Sequence, residues 1–539
     1  MSNPLFSNKQ AIKIAEETTS GVPANFADAI AIELEDLTVD KMKTTEITRN
    51  TIKPYFGGNK KIITANEGMI TLKFALAVGG NAQGISVPGT LPQYDMLLQA
   101  CNLSSVVTSS EVTGTAQDGD LNSIVLAAES SAQDDAYAGH AIYVQVSGGT
   151  AQDPASSNKN IIKLSSEARP TDNYFNGFFC RVKHFAGTIV DTASSNSTKA
   201  YIYLPASTVG IKNLTGCDIE IKTGENQAEI KRIKSYEIAS KRALLDSQLA
   251  TIPSNTSTFV ISESKLVTGY DGTTKVATLA SNLKFVTTTS TTYELAEMRH
   301  IQDYDGATKT AVVYPKLTKE ANDTMTYIIG KSVEYYPNSN TDTQKSYTIW
   351  YFQDGALHQF SYAKGTVTFD FTSGQIPMAQ VVLTGLIEDY DVADLPAIDL
   401  AAWVNPLPVN YGNTKTLVIH SFDEGVMEKI TFDLGNKVIH RNMPNADRVL
   451  ITGREAKGQV AIEAVLKTDY DFYAAIENAD INKLLFMHGP IGQQVGVYSP
   501  SMQLSNPSSS DKDGIAMLTM DMTLPAINGG NNEFVLILQ

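Results

Sequence analysis

The chain carries one strand-turn-strand pattern twice, and this repeat constrains the fold more than any other feature of the sequence. Gly68-Met69-Ile70-Thr71-Leu72-Lys73-Phe74-Ala75-Leu76 aligns without a gap on Gly458-Gln459-Val460-Ala461-Ile462-Glu463-Ala464-Val465-Leu466. Upstream, residues 63–67 match 451–455, and Thr38-Val39-Asp40 with Arg49-Asn50 matches Thr431-Phe432-Asp433 with Arg441-Asn442. Apolar and polar residues alternate in both copies, the pattern of half-buried strands. Two related β modules in one chain suit a subunit that fills two equivalent places in a symmetric assembly, which points to a structural role.

A length of 539 residues is too great for one core; at roughly 150 residues per domain it implies three or four. Lys and Arg number 42 against 58 Asp and Glu, a net charge of -16, which favours solubility and argues against a phosphate-gripping surface. Cys101, Cys180 and Cys217 are odd in number and lack CxxC spacing, so they read as buried thiols and not as a disulfide framework or zinc site. No basic-then-apolar leader and no run of 18 apolar residues is found, so the expectation is a protein made and folded in a cytoplasm, with no membrane contact.

The patterning divides the chain as follows. Residues 1–26 read as an N-terminal arm, 27–110 as the first part of a first module, 111–345 as an all-β insertion, 346–396 as the rest of that module, 397–411 as a Pro-bearing linker and 412–539 as a second module. In the first module, residues 57–60 (Gly57-Gly58-Asn59-Lys60) form a loop tip. Tyr94, Leu97, Leu98 and Cys101 share one helical stripe, with a Pro suited to the first turn before it and Asn102 suited to a cap after it. In the second copy Leu484-Leu485 take the place of Leu97-Leu98. The insertion holds weaker repeats: residues 134–144 recur as 171–182, 232–236 as 299–304, and Tyr270-Asp271-Gly272-Thr273-Thr274-Lys275-Val276-Ala277 as Tyr304-Asp305-Gly306-Ala307-Thr308-Lys309-Thr310-Ala311. Asp-Gly between β-prone runs signals tight hairpins, so the insertion reads as one or two small all-β domains.

Chemistry-bearing motifs are scarce. GxxxxGK[ST], HExxH, GxSxG and a helix-opening GxGxxG are all missing. The seven histidines are never closer than about 20 residues, so no local metal pair exists. Acidic runs such as Asp389-Tyr390-Asp391, Asp469-Tyr470-Asp471 and Asp303-Tyr304-Asp305 could offer oxygens to Ca²⁺ but lack a downstream bidentate Glu; turn residues are the simpler reading. No catalytic, cofactor or metal residue is assigned, and a non-enzyme is expected. The residues singled out are Arg49 with Arg441 and Glu67 with Glu455, which hold matching positions in the two copies, and Gly57 and Gly58 at the loop tip. The matched charges are either a repeated ion pair or interface contact, or charges at strand ends.

The order of Glu46 to Arg49 before a loop, the strand at 70–76, Val78-Gly79-Gly80-Asn81-Ala82-Gln83-Gly84-Ile85-Ser86-Val87-Pro88, and then Tyr94-Asp95-Met96-Leu97-Leu98-Gln99-Ala100-Cys101 resembles the tail tube proteins of bacteriophages with long non-contractile tails. Asn102 or Leu103 stands where that family usually has Gly. Residues 364–386 and 432–454 resemble the family's second half. The resemblance implies a mainly β fold of two tail-tube-type barrel or sandwich modules, each with a flanking helix, plus a decorating β insertion. It implies a virion protein whose sheets join those of neighbouring subunits around a channel for DNA, which passes without specific binding. The N-terminal arm and the 57–60 loop would reach adjacent rings. With six single-module copies per ring in the family, a two-module chain would close as a homotrimer. Tape measure, tail terminator and tail-tip proteins are the implied partners. A tail-associated polysaccharide depolymerase and a surface adhesin are the other readings of β-repeats with scattered carboxylates.

Overall fold

A computed structural model describes residues 5–81, 84–152, 158–190, 197–205, 212–224, 226, 230–245, 248–249, 251–490, 492–527 and 529–539; Ala82 and Gln83 of the Gly-rich loop lie outside them. The chain is 52% strand and 4% helix, so it is mainly β, as its alternation implies. It divides into two compact units, one of Met1–Ser109 with Lys331–Gln539 and the other of Ser110–Gly330.

The first unit is organised by one branched antiparallel sheet of 16 strands. Its strands before the second unit are β1 (Gln10–Glu16), the two-residue strand Ile30–Ala31 paired with it, β2 (Asp36–Thr48), β3 (Lys61–Ala75) and β4 (Leu103–Thr108). After it come β5 (Ser332–Pro337), β6 (Tyr347–Gln353), β7 (Ala356–Thr372), β8 (Met378–Val392), β9 (Thr414–Ile419) and β10 (Met427–Asp433). The hairpin β11 (Asn436–Met443) and β12 (Ala446–Arg454) forms a separate two-stranded sheet. The series closes with β13 (Lys457–Glu463), β14 (Ile481–His488), β15 (Val495–Lys512), β16 (Ile515–Thr523) and β17 (Val535–Leu538). Strand β7 is the hub. It pairs with β8 along most of its length on one side, and on the other with β6 and then β10. Helix α1 (Asp95–Ala100) buries Leu97 and Leu98, and Asn102 after it takes φ 61°, the left-handed cap conformation that Asn tolerates.

The first sequence copy lies wholly in this sheet, and the second is shared between it and the separate β11–β12 hairpin. In the first, residues 36–40 of β2 pair with 69–73 of β3, and after an irregularity residues 43–48 pair with 61–67. In the second, β10 pairs with β13 and, beyond Asp433, β11 pairs with β12. Ile63 faces Glu46 and Ile451 faces Val438, so the match of 63 with 451 also brings Arg49 onto Arg441. Gly68 and Gly458 are both places of close approach: a Cβ would lie 2.2 Å from the Phe360 ring at the first and 2.2 Å from the Thr431 carbonyl oxygen at the second.

Several expectations change here. The two modules are not separate, because Leu72 and Phe74 of β3, Phe369 of β7 and Val460 and Ile462 of β13 lie in one hydrophobic core. Residues 10–16 are no arm: β1 pairs with β6, and Ile12 and Ile14 join the core, since a short apolar stretch is stable only with a neighbour to cover it. The supposed linker 397–411 packs down, with Val404 and Val409 buried and Trp403 against Tyr94 at 6.0 Å. Residues 331–345 belong to the first unit and not to the insertion, because β5 pairs with β4 and β17. Leu484-Leu485 lie in strand β14; the helix of the second copy, α2 (Phe472–Glu477), comes earlier, capped by the Asp471 carboxylate accepting from the Ala474 N–H.

Where one or two small domains were expected, the described residues of the second unit form three small cores. Corresponding positions recur in each: Ile124, Ile162 and Ile202; Tyr304, Tyr270 and Tyr236; Ala311, Ala277 and Ala243; Tyr327, Tyr293 and Phe259. Backbone details recur as well. The N–H groups of Gly139, Gly177 and Gly216 donate to the carbonyls of Ile301, Val267 and Ile233, and Lys309, Lys275 and Lys241 take φ of 60°, 62° and 59°. The repeats are nested: early halves run outer, middle, inner, and late halves return inner, middle, outer. The expected tight Asp-Gly hairpins are wider loops. The Asp271 carboxylate accepts from the Thr273 and Thr274 N–H groups, and the positive φ falls on Lys275. Gly272 serves close approach instead, since a Cβ there would lie 2.2 Å from the Pro170 carbonyl oxygen.

Candidate assembly site

The feature that sets the first unit apart is its first hairpin. Among the described residues strand β2 pairs with β3 alone, so its outer edge carries no strand. Strand β8 pairs with β3 only as far as Gly385 opposite Gly68, so residues 61–67 are also open on that side. An unpaired N–H and C=O row is a template for another strand. The loop 49–60 that caps this hairpin presents Ile52 and Phe56 fully to solvent, with Tyr55 beside them. Gly57 and Gly58 are at the tip of that loop, where a Cβ would meet nothing within 4 Å. Arg49 is exposed at the end of β2.

The second hairpin ends differently. Its turn is Pro444-Asn445, with Asn445 at φ 66°, and at its tip Arg441 stands opposite Arg448, a like-charge pair that favours an outside acceptor. The matched Glu67 and Glu455 do not repeat one contact. Glu67 accepts from Lys43 at 3.5 Å and lies 3.4 Å from His440 Nδ1, so it joins the two hairpins. The other ring nitrogen of His440 is 2.6 Å from Asp447. Glu455 is exposed and engaged through its backbone, its N–H donating to the Gly435 carbonyl. The neighbouring Arg454 does the anchoring: its guanidinium donates to Glu533 at 2.7 Å and to the Asn338 carbonyl at 3.1 Å, both side chains of the ion pair being nearly buried. Breaking such a pair leaves a buried charge uncompensated, at a cost of about 3–5 kcal/mol.

His440 and Arg454 were not singled out from the sequence, because their partners are distant in the chain. The exposure of Ile52 and Phe56 was open to detection: two apolar groups beside Gly-Gly in a loop with no alternation have no sheet face to turn to.

Among the described residues no group of three or more His, Cys, Asp or Glu could hold a metal ion. A cavity between residues 76–78, residues 404–407, His488 and Gln493 has a volume of about 10 Å³, room for about one water. Burial pushes the thiols of Cys180 and Cys217 up to about 12, and that of Cys101 higher still, which removes the thiolate a nucleophile needs. The carboxylates of Asp271 and Asp305 are held below their usual range by backbone N–H donors of their own turns, the signature of turn residues. Among the described residues no helix is long and apolar enough to cross a membrane. No protein-family model matches the sequence, and no curated protein matches it.

Proposed function

We propose that this chain is a structural virion protein, a tail tube subunit that polymerises into stacked rings around a channel for DNA. The observation that carries the reading is the first hairpin: a two-stranded arm unpaired along the outer edge of β2 and along residues 61–67 of β3, in a unit that also carries a second copy of the same hairpin. Closing such a sheet through neighbouring subunits removes edges that otherwise aggregate without control. Two hairpins per chain give six per ring from three chains, a homotrimer with pseudo-sixfold symmetry. The net charge of -16 suits a lumen that repels phosphates and lets DNA slide, without specific binding. Tape measure, tail terminator and tail-tip proteins are the partners such a tube would meet, and the virion tail is its place.

Negative-stain microscopy of the purified protein tests this. Regular hollow tubes are expected, with three subunits per ring in end-on averages. Six subunits per ring would overturn the stoichiometry, and a monodisperse monomer at every concentration would overturn the function.

A further inference from the structure

Two exposed segments of the first unit carry opposite charge on an apolar background. Residues 49–61 hold Arg49, Lys53, Lys60 and Lys61 and no acid, around the exposed Ile52, Tyr55 and Phe56. Residues 388–399, at the end of β8 and just beyond it, hold Glu388, Asp389, Asp391, Asp394 and Asp399 and no base. They surround Tyr390 at 66% exposure and Val392 at 86%, with Leu395 and Ile398 also exposed.

Apart from Lys61, the charges of both segments have no ion-pair partner within the chain among the described residues. The side chains of Asp389, Asp391 and Asp399 accept only from backbone N–H groups one or two residues on, and Glu388 from Ser361. Among the described residues none of these carboxylates has an ion pair. Lys61 is held by Glu46, and Lys53 donates to the Gly58 carbonyl at 2.9 Å, which shapes the loop. Arg49 and Lys60 extend to solvent. A cluster of cations without acids is an exception in a chain with a net charge of -16, so any second copy offers the loop an opposite field.

We infer that the loop 49–60 of one copy docks on residues 388–399 of a second copy of this chain. Ile52 and Phe56 lie on Tyr390, Val392 and Leu395, and Arg49, Lys53 and Lys60 face Asp389, Asp391 and Asp394. Apolar contact supplies the attraction and charge fixes the register and the choice of partner. This contact rests on the tube-subunit reading for the identity of the partner, and specifies which surfaces of that partner meet.

The test uses two singly substituted full-length chains, Gly58→Cys and Asp391→Cys, produced together with distinguishable tags. The three native cysteines are buried, and the Gly58 Cβ position is open. Mild oxidation is expected to give a covalent dimer containing both tags. Sedimentation of the unmodified protein is run alongside. Assembly without the mixed dimer overturns the docking assignment and leaves the tube reading standing; failure of the unmodified protein to assemble overturns both. A charge series provides a second measure. Lys53→Glu with Lys60→Glu is expected to weaken assembly about tenfold or more at low salt, with recovery when the same chain carries Asp389→Lys and Asp391→Lys. Unchanged assembly in the Lys→Glu chain, or no recovery in the chain carrying both pairs, counts against the contact.

Discussion

The duplicated hairpins of the first unit have diverged, whereas the three repeats of the second unit keep the same residue types at the same depths. Tyr236, Tyr270 and Tyr304 fill one position, and Ala243, Ala277 and Ala311 another. The hairpins, by contrast, differ in loop, in turn and in the partners of Glu67 and Glu455. The packing accounts for the difference. Each repeat of the second unit must bury a core of its own, so its positions answer to the same local demands. The hairpins of the first unit contribute to one shared core, where each copy fits the other and neither needs to resemble it. Outward of that core nothing holds the copies alike, and one tip lengthened into the apolar loop 49–60 while the other shortened to Pro444-Asn445.

The largest test of this contrast is cavity formation. Phe369→Ala at the centre of the shared core is expected to cost about 3–5 kcal/mol and to lower amide protection at the roots of both hairpins together. Tyr293→Ala is expected to expose amides near Ile162 and Leu295 while those of the outer and inner repeats keep their protection. Denaturant titration followed by hydrogen exchange reads both, and a Tyr293→Ala chain that loosened all three repeats alike would break the comparison.

A smaller effect concerns the second unit alone. Gly272→Ala and Gly306→Ala place a Cβ 2.2 Å from the Pro170 carbonyl oxygen and 2.5 Å from Ala132 backbone atoms. Each is expected to destabilise its own repeat by about 1–3 kcal/mol. Calorimetry of the single and double variants should show additive losses; a strongly non-additive pair would mean that the repeats share more than chain.

The smallest effect sharpens the divergence of the two helices. Asp95 of α1 accepts from Tyr335 Oη at 2.8 Å and Gln99 Nε2 at 2.6 Å, yet burial holds its carboxyl above the usual range. Asp471 at the start of α2 is held below that range by Lys467, 2.8 Å away, and by the Ala474 N–H. The signs are opposite. The contribution of Asp95 is complete below the ordinary carboxylate pKa and is lost as pH rises through its raised value. That of Asp471 is present above the ordinary pKa and is lost as pH falls through its lowered value. Melting temperature against pH is expected to lose, in Asp95→Asn, the decline that sets in as pH rises above the ordinary carboxylate pKa, and in Asp471→Asn part of the decline as pH falls below it.

What was legible in the sequence follows the same division. Alternation located β3, β7 and β8, and the stripe through Tyr94 and Leu98 located α1, because those signals are local. The hairpin pairing was legible through the match of 63 with 451. The third repeat of the second unit was legible only in the match of 232–236 with 299–304, because Glu237-Ile238 replaces Asp-Gly at its loop; the equal spacing of Tyr236, Tyr270 and Tyr304 would have shown it as a full repeat. Strand β1 was hidden because residues 10–16 are too short to declare a state without β6, which is remote in sequence. Among the candidate site residues, Gly57, Gly58 and Arg49 sit on the exposed loop and strand end where they were placed, while the contacts of Glu67, like those of Arg454, which the sequence did not mark, depend on folding distances that no spacing encodes.

The nesting of the second unit also fixes an order of events during synthesis. The inner repeat has both halves close together in the chain, from Tyr201–Tyr203 to Arg242–Leu245, so it can close while the ribosome is still making the late half of the middle repeat. Its closure shortens the effective loop that the middle repeat must bridge, and the middle repeat does the same for the outer one. Folding of this unit therefore runs from the inside outward, and β1, whose one edge pairs with the nearby Ile30–Ala31, waits for a partner on its other edge until Tyr347–Gln353 leaves the exit tunnel.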